Sequence, residues 1–554
     1  MALYNIFDNA GGRIYFVLIL IRVLSAFLGR GYIHPDEYFQ NGEVTAGAIL
    51  GWHGLRSWEW DPAFPCRSIV PPFLTTGLPL AATKVLFPGS YLIAWRIETP
   101  SHSAIEHVSG HDVFLIERLS SLVLSFVLDI CVAQVVRISR AKALLLLASS
   151  HVLMTFQLRP FSNSLEAVLV AASLATMDKL ATINSRRAFL TQASFLAIIL
   201  VTGCMTRITF ITFTIPVLAQ AFLMSVKLAT VSSRFSPLLW VRTVRLPLGV
   251  ATFLLGGIIA IDTIYFRGDI TQVVLTPYNN LLYNMSPTNL AEHGLHPRWL
   301  HVAVNLPLVV GPGLVIYGLL AIRRLIGQAR SATGKDGLLP EAVISRSKTC
   351  AMMILTSLTL LSVQPHQEPR FLTPLLVPFV VLIANSGYLQ TANNSFWVTW
   401  ILGNSLLSIL FGVLHQGGVI PSILHLGTTI SPAANISIVY WKTYMPPWHL
   451  LGISEENVAS GQVSLLDLAG MSSNDAENTL LSLGNRQTIT TTLYLVAPSF
   501  AMQSLAPGLA QCFELDAQVY PHLDLDHISE SIETGWPNGL SLGVYMTSLE
   551  CFGS

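Results

Sequence analysis

Apolar runs near the roughly 20 residues that cross a bilayer as a helix recur along most of the sequence. They fall at about 14–30, 113–136, 143–158, 164–182, 188–204, 207–226, 246–266, 302–322, 349–363, 371–388 and 396–415. About eleven transmembrane helices are therefore expected. Composition supports this reading. Only 11% of the side chains are Asp, Glu, Lys or Arg, against about 25% in a soluble domain. Hydrophobic residues make up 52%, too many to be covered by polar surface in water. The fold class expected is an all-α polytopic membrane protein with lipid as its main solvent. The 31 basic and 31 acidic residues balance, which argues against nucleic acid as a partner. Six cysteines, none in a CxxC pair, exclude a disulfide scaffold and the common zinc ribbons. The first run lacks a small-residue cleavage pattern after it and reads as a retained signal anchor.

Basic residues give the expected orientation. With the N-terminus in the cytosol, the cytosolic connections hold Arg137, Arg140 and Lys142; Arg186 and Arg187; Lys227, Arg234, Arg242 and Arg245; and Arg323, Arg324, Arg330, Lys335, Arg346 and Lys348. The long loop 31–112 and the tail 416–554 then lie on the opposite side. The tail has Lys442 and Arg486 against twelve acidic residues. Two regions follow: a polytopic transmembrane domain 1–415 that includes loop 31–112, and a luminal C-terminal region 416–554. The endoplasmic-reticulum lumen is the expected compartment, with the cell exterior as the alternative that charge bias alone does not separate from it. The tail's runs are short, and Gln487–Val496 alternates as a strand does, so a small α/β region is expected there. Cys512 and Cys551 are a possible pair in an oxidising lumen. Asn435-Ile-Ser437 is a luminal glycosylation sequon. Asn393-Asn-Ser395 falls on the cytosolic side, where it would be silent.

The segment after the first span concentrates chemistry. Gly31-Tyr-Ile-His-Pro-Asp-Glu-Tyr-Phe-Gln40 packs His34, Asp36, Glu37 and Gln40 into seven residues, with Glu43 just beyond. Pro35 fixes its own φ and restrains His34, so a helix from about Glu37 to Leu50 is expected. Acidic groups suit a helix start, and a cap is as good a reading of Asp36 as catalysis. Its position at headgroup level favours chemistry on a lipid-phosphate substrate. Further on, Ile69–Leu86 is apolar but broken by Pro71, Pro72, Gly77 and Pro79, and reads as interfacial. Trp52, Trp58, Trp60 and Trp95 suit an interface belt.

Tyr32-Ile-His-Pro-Asp-Glu-Tyr-Phe-Gln40 resembles the signature of the endoplasmic-reticulum α-mannosyltransferases of glycosyltransferase family 22. Arg159-Pro-Phe-Ser-Asn-Ser-Leu-Glu166, Pro277-Tyr-Asn-Asn-Leu-Leu-Tyr-Asn284 and His366-Gln-Glu-Pro-Arg-Phe-Leu372 resemble further segments of that family, in the same order. The resemblance implies the GT-C fold, with a luminal loop of interfacial helices, and dolichyl phosphate mannose as donor. Trp58-Glu-Trp60 followed by Pro65-Cys-Arg-Ser68 resembles the branch that adds a fourth, α-1,2-linked mannose to a glycosylphosphatidylinositol (GPI) precursor. The third-mannose enzymes and the lipid-linked-oligosaccharide mannosyltransferases are the alternatives within the family.

The resemblance also implies residue roles. A β-linked donor and an α-linked product need one inverting displacement, hence a general base. Asp36 is assigned that role, with Glu37 as runner-up. Phosphate leaves without a strong acid, so cationic groups would stabilise its charge. Arg370 suits phosphate geometry, with Glu368 orienting Arg370 or His366; an interhelical ion pair is the bland reading of the same residues. Arg67, Arg159 and Arg207 are further luminal cations. His34, Gln40 and Asn284 complete the donor- and acceptor-binding candidates. No cofactor or metal is implied. His522-Leu-Asp-Leu-Asp-His527 has the look of a metal site, but its alternation reads as a strand with Leu on one face. A transporter is the competing class, since Arg118, Asp129, Glu166 and Asp262 fall in or beside apolar runs. It predicts repeat symmetry, and no repeat is evident.

Overall fold

The computed structural model describes residues 10–86, 108–183, 185–231, 233–292, 294–330, 341–430, 435–484 and 491–547. Trp95, Arg486, Cys551 and the first residues of the expected strand at 487 lie outside them. Cys512 is disulfide-bonded. The chain divides into two compact units. One comprises Met1–Leu24, Ser57–Pro71 and Ser121–Ser405; the other comprises Ser25–Arg56, Pro72–Ser120 and Leu406–Ser554. Residues 416–554 thus belong to a unit that also takes in most of loop 31–112.

The first unit is helical. Among the described residues of the whole chain, six helices are long and apolar enough to cross a membrane, and up to eight if two bent pairs each count as one. The bent pairs are Arg140–Ala148 with His151–Leu158, and His301–Val310 with Pro312–Gln328. Three expected spans, now Gly110–Val135, Ser162–Ala181 and Glu341–Val363, are helical but are not among those six. Charges within two of them are spent inside the protein. Asp129 is paired with Arg22 at 2.6 Å and accepts from the Tyr15 hydroxyl at 2.8 Å. Helix Ser162–Ala181 is buried along nearly its whole length and packs against Arg186–Thr206, Phe210–Leu228 and Pro369–Leu375. A helix lined all round by protein needs no uniformly apolar surface, because its polar groups can find partners instead of lipid.

The second unit carries a five-stranded sheet. Its strands are β1 (Asn435–Tyr440), β2 (Val463–Asp467), β3 (Thr491–Pro498), β4 (Phe513–Val519) and β5 (Leu542–Thr547). The order is β2-β1-β3-β5-β4, parallel across β2-β1-β3 and antiparallel across β3-β5-β4. Alternation sends Val439, Leu493, Leu495 and Ala497 to one face, against Ala476 and Leu480 of helix Ser473–Gly484. Ile436, Ile438, Tyr440, Val496 and Val544 go to the other. That second face shares one core with helix Val419–Thr429 and with Tyr32, Tyr38 and Val113. The loop after the first span is therefore packed on the C-terminal sheet.

Three local expectations change. The helix expected from Glu37 to Leu50 is two pieces, Asp36–Phe39 and Gly42–Leu50. Residues 521–527 are not a strand. They follow Pro521 into a turn in which Asp524 accepts from the Asp526 amide at 3.0 Å, and Gln416 and Leu414 hold the Leu523 backbone. Trp60 is buried rather than interfacial, and Trp58 stacks on Tyr283 at 3.8 Å between centroids.

Candidate active site

In the second unit the His-Pro-Asp-Glu run is a tight turn. The Glu37 amide donates to the His34 carbonyl at 3.0 Å and the Tyr38 amide to that of Pro35 at 3.0 Å. His34 Nδ1 accepts from the Asp36 amide at 3.1 Å, which makes Nε2 the protonated nitrogen of the neutral ring. Gln40 Nε2 donates to Asp36 Oδ2 at 2.5 Å, one helical turn along. The Asp36 side chain stays 27% exposed.

Its neighbours are enclosed. Glu37 is fully buried and its Oε1 lies 2.7 Å from Arg118 Nη2. Arg118 also donates to the Tyr38 hydroxyl at 3.3 Å and sits 5.0 Å over the Phe114 ring. The Tyr32 hydroxyl donates to the Met445 carbonyl at 2.9 Å. Just beyond the turn, His449 Nδ1 lies 3.2 Å from Glu43 Oε1, and its Nε2 lies 3.2 Å from Glu117 Oε1. All three are buried. Burial alone would favour neutral imidazole, but Glu117 and Glu43 outweigh it and push His449 up to about 10. The Glu43 Oε2 accepts from the Leu55 amide at 2.8 Å.

A second cluster is built in the first unit. Ser162 and Glu166 stand one turn apart on helix Ser162–Ala181, hence on one face. The Ser162 hydroxyl accepts from Arg67 Nη1 at 3.2 Å and from Arg207 Nη1 at 2.9 Å. Arg67 also pairs with Glu59 at 2.7 Å, and Arg207 with Glu166 at 3.4 Å. Arg207 and Arg370 both lie over the Phe371 ring, at 5.4 and 5.5 Å. Burial first, then the positive charges of Arg67 and Arg370, bring the Arg207 guanidinium down to about 10. Glu368 bridges His366 Nε2 at 2.7 Å and Arg370, whose Nη2 is at 3.0 Å and whose Nε also donates to it. This pair lies two residues apart in one turn, so it is not interhelical. Burial opposes the His366 charge, but the Glu368 hydrogen bond and carboxylate raise it above the usual imidazole range.

Two further candidates each bond within their own segment. Arg159 is buried and its Nη1 donates to the Thr155 carbonyl at 2.7 Å. Asn284 donates to the Asn280 carbonyl of its own helix at 2.8 Å. In that segment Tyr283 and Asn279 make the outward contacts, Tyr283 with Trp58 and Asn279 with the Pro65 carbonyl at 2.9 Å. Asp262 holds the same strip, accepting from the Ser68 hydroxyl and the Ile69 amide, both at 3.0 Å. Gln367, unremarked in the sequence, fixes the turn: its Oε1 accepts from the His301 amide at 2.8 Å and its Nε2 donates to the Gln364 carbonyl at 3.0 Å. The four charges that also suited a transporter, Arg118, Asp129, Glu166 and Asp262, all have partners. Among the described residues no three His, Cys, Asp or Glu side chains are arranged to hold a metal.

Known proteins agree with this architecture. The sequence pattern of the Alg9-like mannosyltransferase family matches residues 13–451. The chain belongs to that family and is a glycosyltransferase. GPI mannosyltransferase 4 of Aspergillus oryzae is 33% identical over 83% of this chain and 81% of its own length. Human GPI alpha-1,2-mannosyltransferase 4 is 30% identical over 95% of this chain and 92% of its own. Among solved structures, ArnT from Cupriavidus metallidurans bound to undecaprenyl phosphate aligns with a TM-score of 0.53 at 11% identity, over 97% of this chain and 98% of ArnT. That likeness establishes the fold, which is of the GT-C type expected.

Proposed function

We propose that the chain is an inverting α-1,2-mannosyltransferase. It moves mannose from dolichyl phosphate mannose to the third mannose of a GPI precursor, and adds the fourth. The acceptor hydroxyl oxygen attacks the anomeric carbon, the bond to phosphate oxygen breaks, and dolichyl phosphate leaves with the electron pair. Asp36 takes the hydroxyl proton. The observation that carries this reading is the contrast between adjacent carboxylates: Glu37 is enclosed with Arg118, whereas Asp36 is partly exposed and aimed by Gln40. Glu37 then serves as a support of the turn, with His34 and Gln40 orienting Asp36. Arg370, with Arg67 and Arg207, stabilises the phosphate charge, and Glu368 and His366 hold Arg370 in place. Arg159 and Asn284 are further candidates for binding donor or acceptor.

The names of the relatives support the GPI acceptor and the α-1,2 linkage. A polyprenyl phosphate bound to a protein of this fold is in keeping with a lipid donor. The reaction is assigned to the endoplasmic-reticulum membrane with the site facing the lumen, in accord with the cytosolic excess of basic residues. A membrane assay with synthetic dolichyl phosphate mannose and acceptors bearing two or three mannoses tests the reading. Asp36→Asn should lose about 10²–10⁴ in rate with normal folding, and product from the three-mannose acceptor should be sensitive to α-1,2-mannosidase. Near-normal turnover by Asp36→Asn refutes the base, and transfer only to the two-mannose acceptor, or only to a lipid-linked oligosaccharide, refutes the acceptor.

A further inference from the structure

His449 lies far from the His-Pro-Asp-Glu turn in sequence yet touches both sides of the break that follows it. Its ring centroid is 5.8 Å from that of Tyr38, in the short helix that begins with Asp36. Its amide and Nδ1 meet Glu43 Oε1, at 3.3 and 3.2 Å, in the next helix. Its Nε2 meets Glu117. Glu117 is followed by Arg118, the partner of Glu37, so helix Gly110–Val135 grips His449 and the turn with consecutive side chains. The break itself is shaped by this contact. A Cβ on Gly42 would fall 2.3 Å from Glu117 Oε1 and 2.7 Å from His449 Nε2, so any side chain there would have to displace this contact. Gln40, which aims Asp36, is the residue that closes the short helix at the same break.

Charge makes the contact specific. Glu37, Glu43 and Glu117 are three buried carboxylates in one neighbourhood, with Arg118 and His449 facing them. Without an imidazolium, Glu43 and Glu117 would be two buried like charges on opposite sides of a neutral ring, an arrangement a low-dielectric interior resists.

We propose that His449 is a positioning residue for transfer: clamped between Glu43 and Glu117, it sets the break at Gln40–Gly42 and thereby the direction of the Asp36 carboxylate. The C-terminal region is then a working part of the catalytic turn. The inference rests on the reading of Asp36 as the base.

The test uses full-length enzyme in membranes or detergent, with His449→Gln, Gly42→Ala, the double variant His449→Gln/Glu117→Gln, and Asp36→Asn in parallel. Gln keeps a hydrogen-bonding side chain but removes the charge. His449→Gln is expected to lower kcat at least about tenfold, part of the 10²–10⁴ that a general base contributes, with donor KM within about twofold. The acidic limb of the pH profile of kcat/KM, which reports the base in the free enzyme, should shift. The double variant should regain several-fold of that kcat, because it restores the charge balance. Gly42→Ala disturbs the same contact from the turn side and should lower kcat without changing the donor KM; it decides the matter if His449→Gln does not fold. Wild-type kcat and pH profile per folded molecule in His449→Gln, or in Gly42→Ala, overturn the proposal, even if the yield falls. If Asp36→Asn turns over normally, the base assignment itself fails. If Asp36→Asn is inactive and His449→Gln is normal, only the positioning role fails.

Discussion

Two short turns carry most of the candidate chemistry, and they are held in opposite ways. In the His366–Phe371 turn Glu368 reaches His366 on one side and Arg370 on the other, each two residues away, while Gln367 ties the turn to His301. The His34–Gln40 turn imports its partners. Glu37 is met by Arg118, 81 residues on, and Glu43 by His449, 406 residues on. A turn that pairs within itself keeps its geometry through small movements of the fold. A turn that borrows distant charges is only as well placed as the elements that deliver them, and in exchange those charges can be buried completely.

The difference is open to attack at several strengths. The largest effect is expected at Arg118. Removing one member of a fully buried pair costs about 3–5 kcal/mol, so Arg118→Met should sharply reduce the melting temperature and the yield of folded protein in detergent. Adding Glu37→Gln should recover much of that loss; if Arg118→Met alone melts like the wild type, the imported pairing is not what holds the turn.

Alkaline pH should produce the next effect. Imidazole in an unfolded chain titrates near 6.5, and His449 is raised to about 10 in the folded state. Its contribution to stability is therefore complete below pH 6.5, declines above it and is gone once pH has risen through about 10. The groups facing it are Glu43 from helix Gly42–Leu50, Glu117 from Gly110–Val135 and the Tyr38 hydroxyl-bearing ring from Asp36–Phe39. The melting temperature should fall between pH 7 and 10.5 by more in the wild type than in His449→Gln. Equal slopes would show that His449 is not charged in the folded enzyme.

The internal turn should respond in function more than in stability. The Glu368 side chain is 19% exposed and pairs with His366 and Arg370 of its own turn. Glu368→Gln should leave the melting temperature within a few degrees while raising the donor KM several-fold as Arg370 loses its orientation. A large loss of stability with unchanged KM would give the turn a structural role instead. The smallest effect is at Asn435, exposed at the start of β1. Asn435→Gln should remove one glycan, seen as a mobility shift after endoglycosidase treatment of the wild type, with activity unchanged; an unglycosylated wild type would speak against a luminal sheet.

Much of this was legible in the sequence where the physics is local. The apolar runs became helices, since hydropathy over 20 residues reports a transfer free energy that needs no partner. The Glu368–Arg370 proximity follows from a spacing of two. Strand character near 491–496 followed from alternation. The sequence was less informative where a local preference was overridden. Nothing in Phe39-Gln-Asn-Gly42 announces the break between Asp36–Phe39 and Gly42–Leu50, nor the Glu117 and His449 side chains that pack against Gly42. The alternating Leu and Asp of 523–526 suggest a strand, but the pairing is a single bridge at Leu523, after which the chain turns about the Asp524 carboxylate. The polarity of helix Ser162–Ala181 goes with its being lined by protein, which a count of apolar runs does not register.

By itself the sequence determined that the chain lives in lipid, and it singled out two charged segments, with Asp36 and Arg370 as the groups to question. These follow from solvation cost and short-range spacing, both properties of a segment alone. Only the tertiary structure decided which of two adjacent carboxylates is enclosed and which is presented, that Ser162 and Glu166 join Arg67, Arg207 and Arg370 in one cluster, and that a histidine near residue 450 sits beneath a turn near residue 40. Burying a charge requires a counter-charge at about 3 Å, and in a chain of 554 residues only the fold says from where it comes.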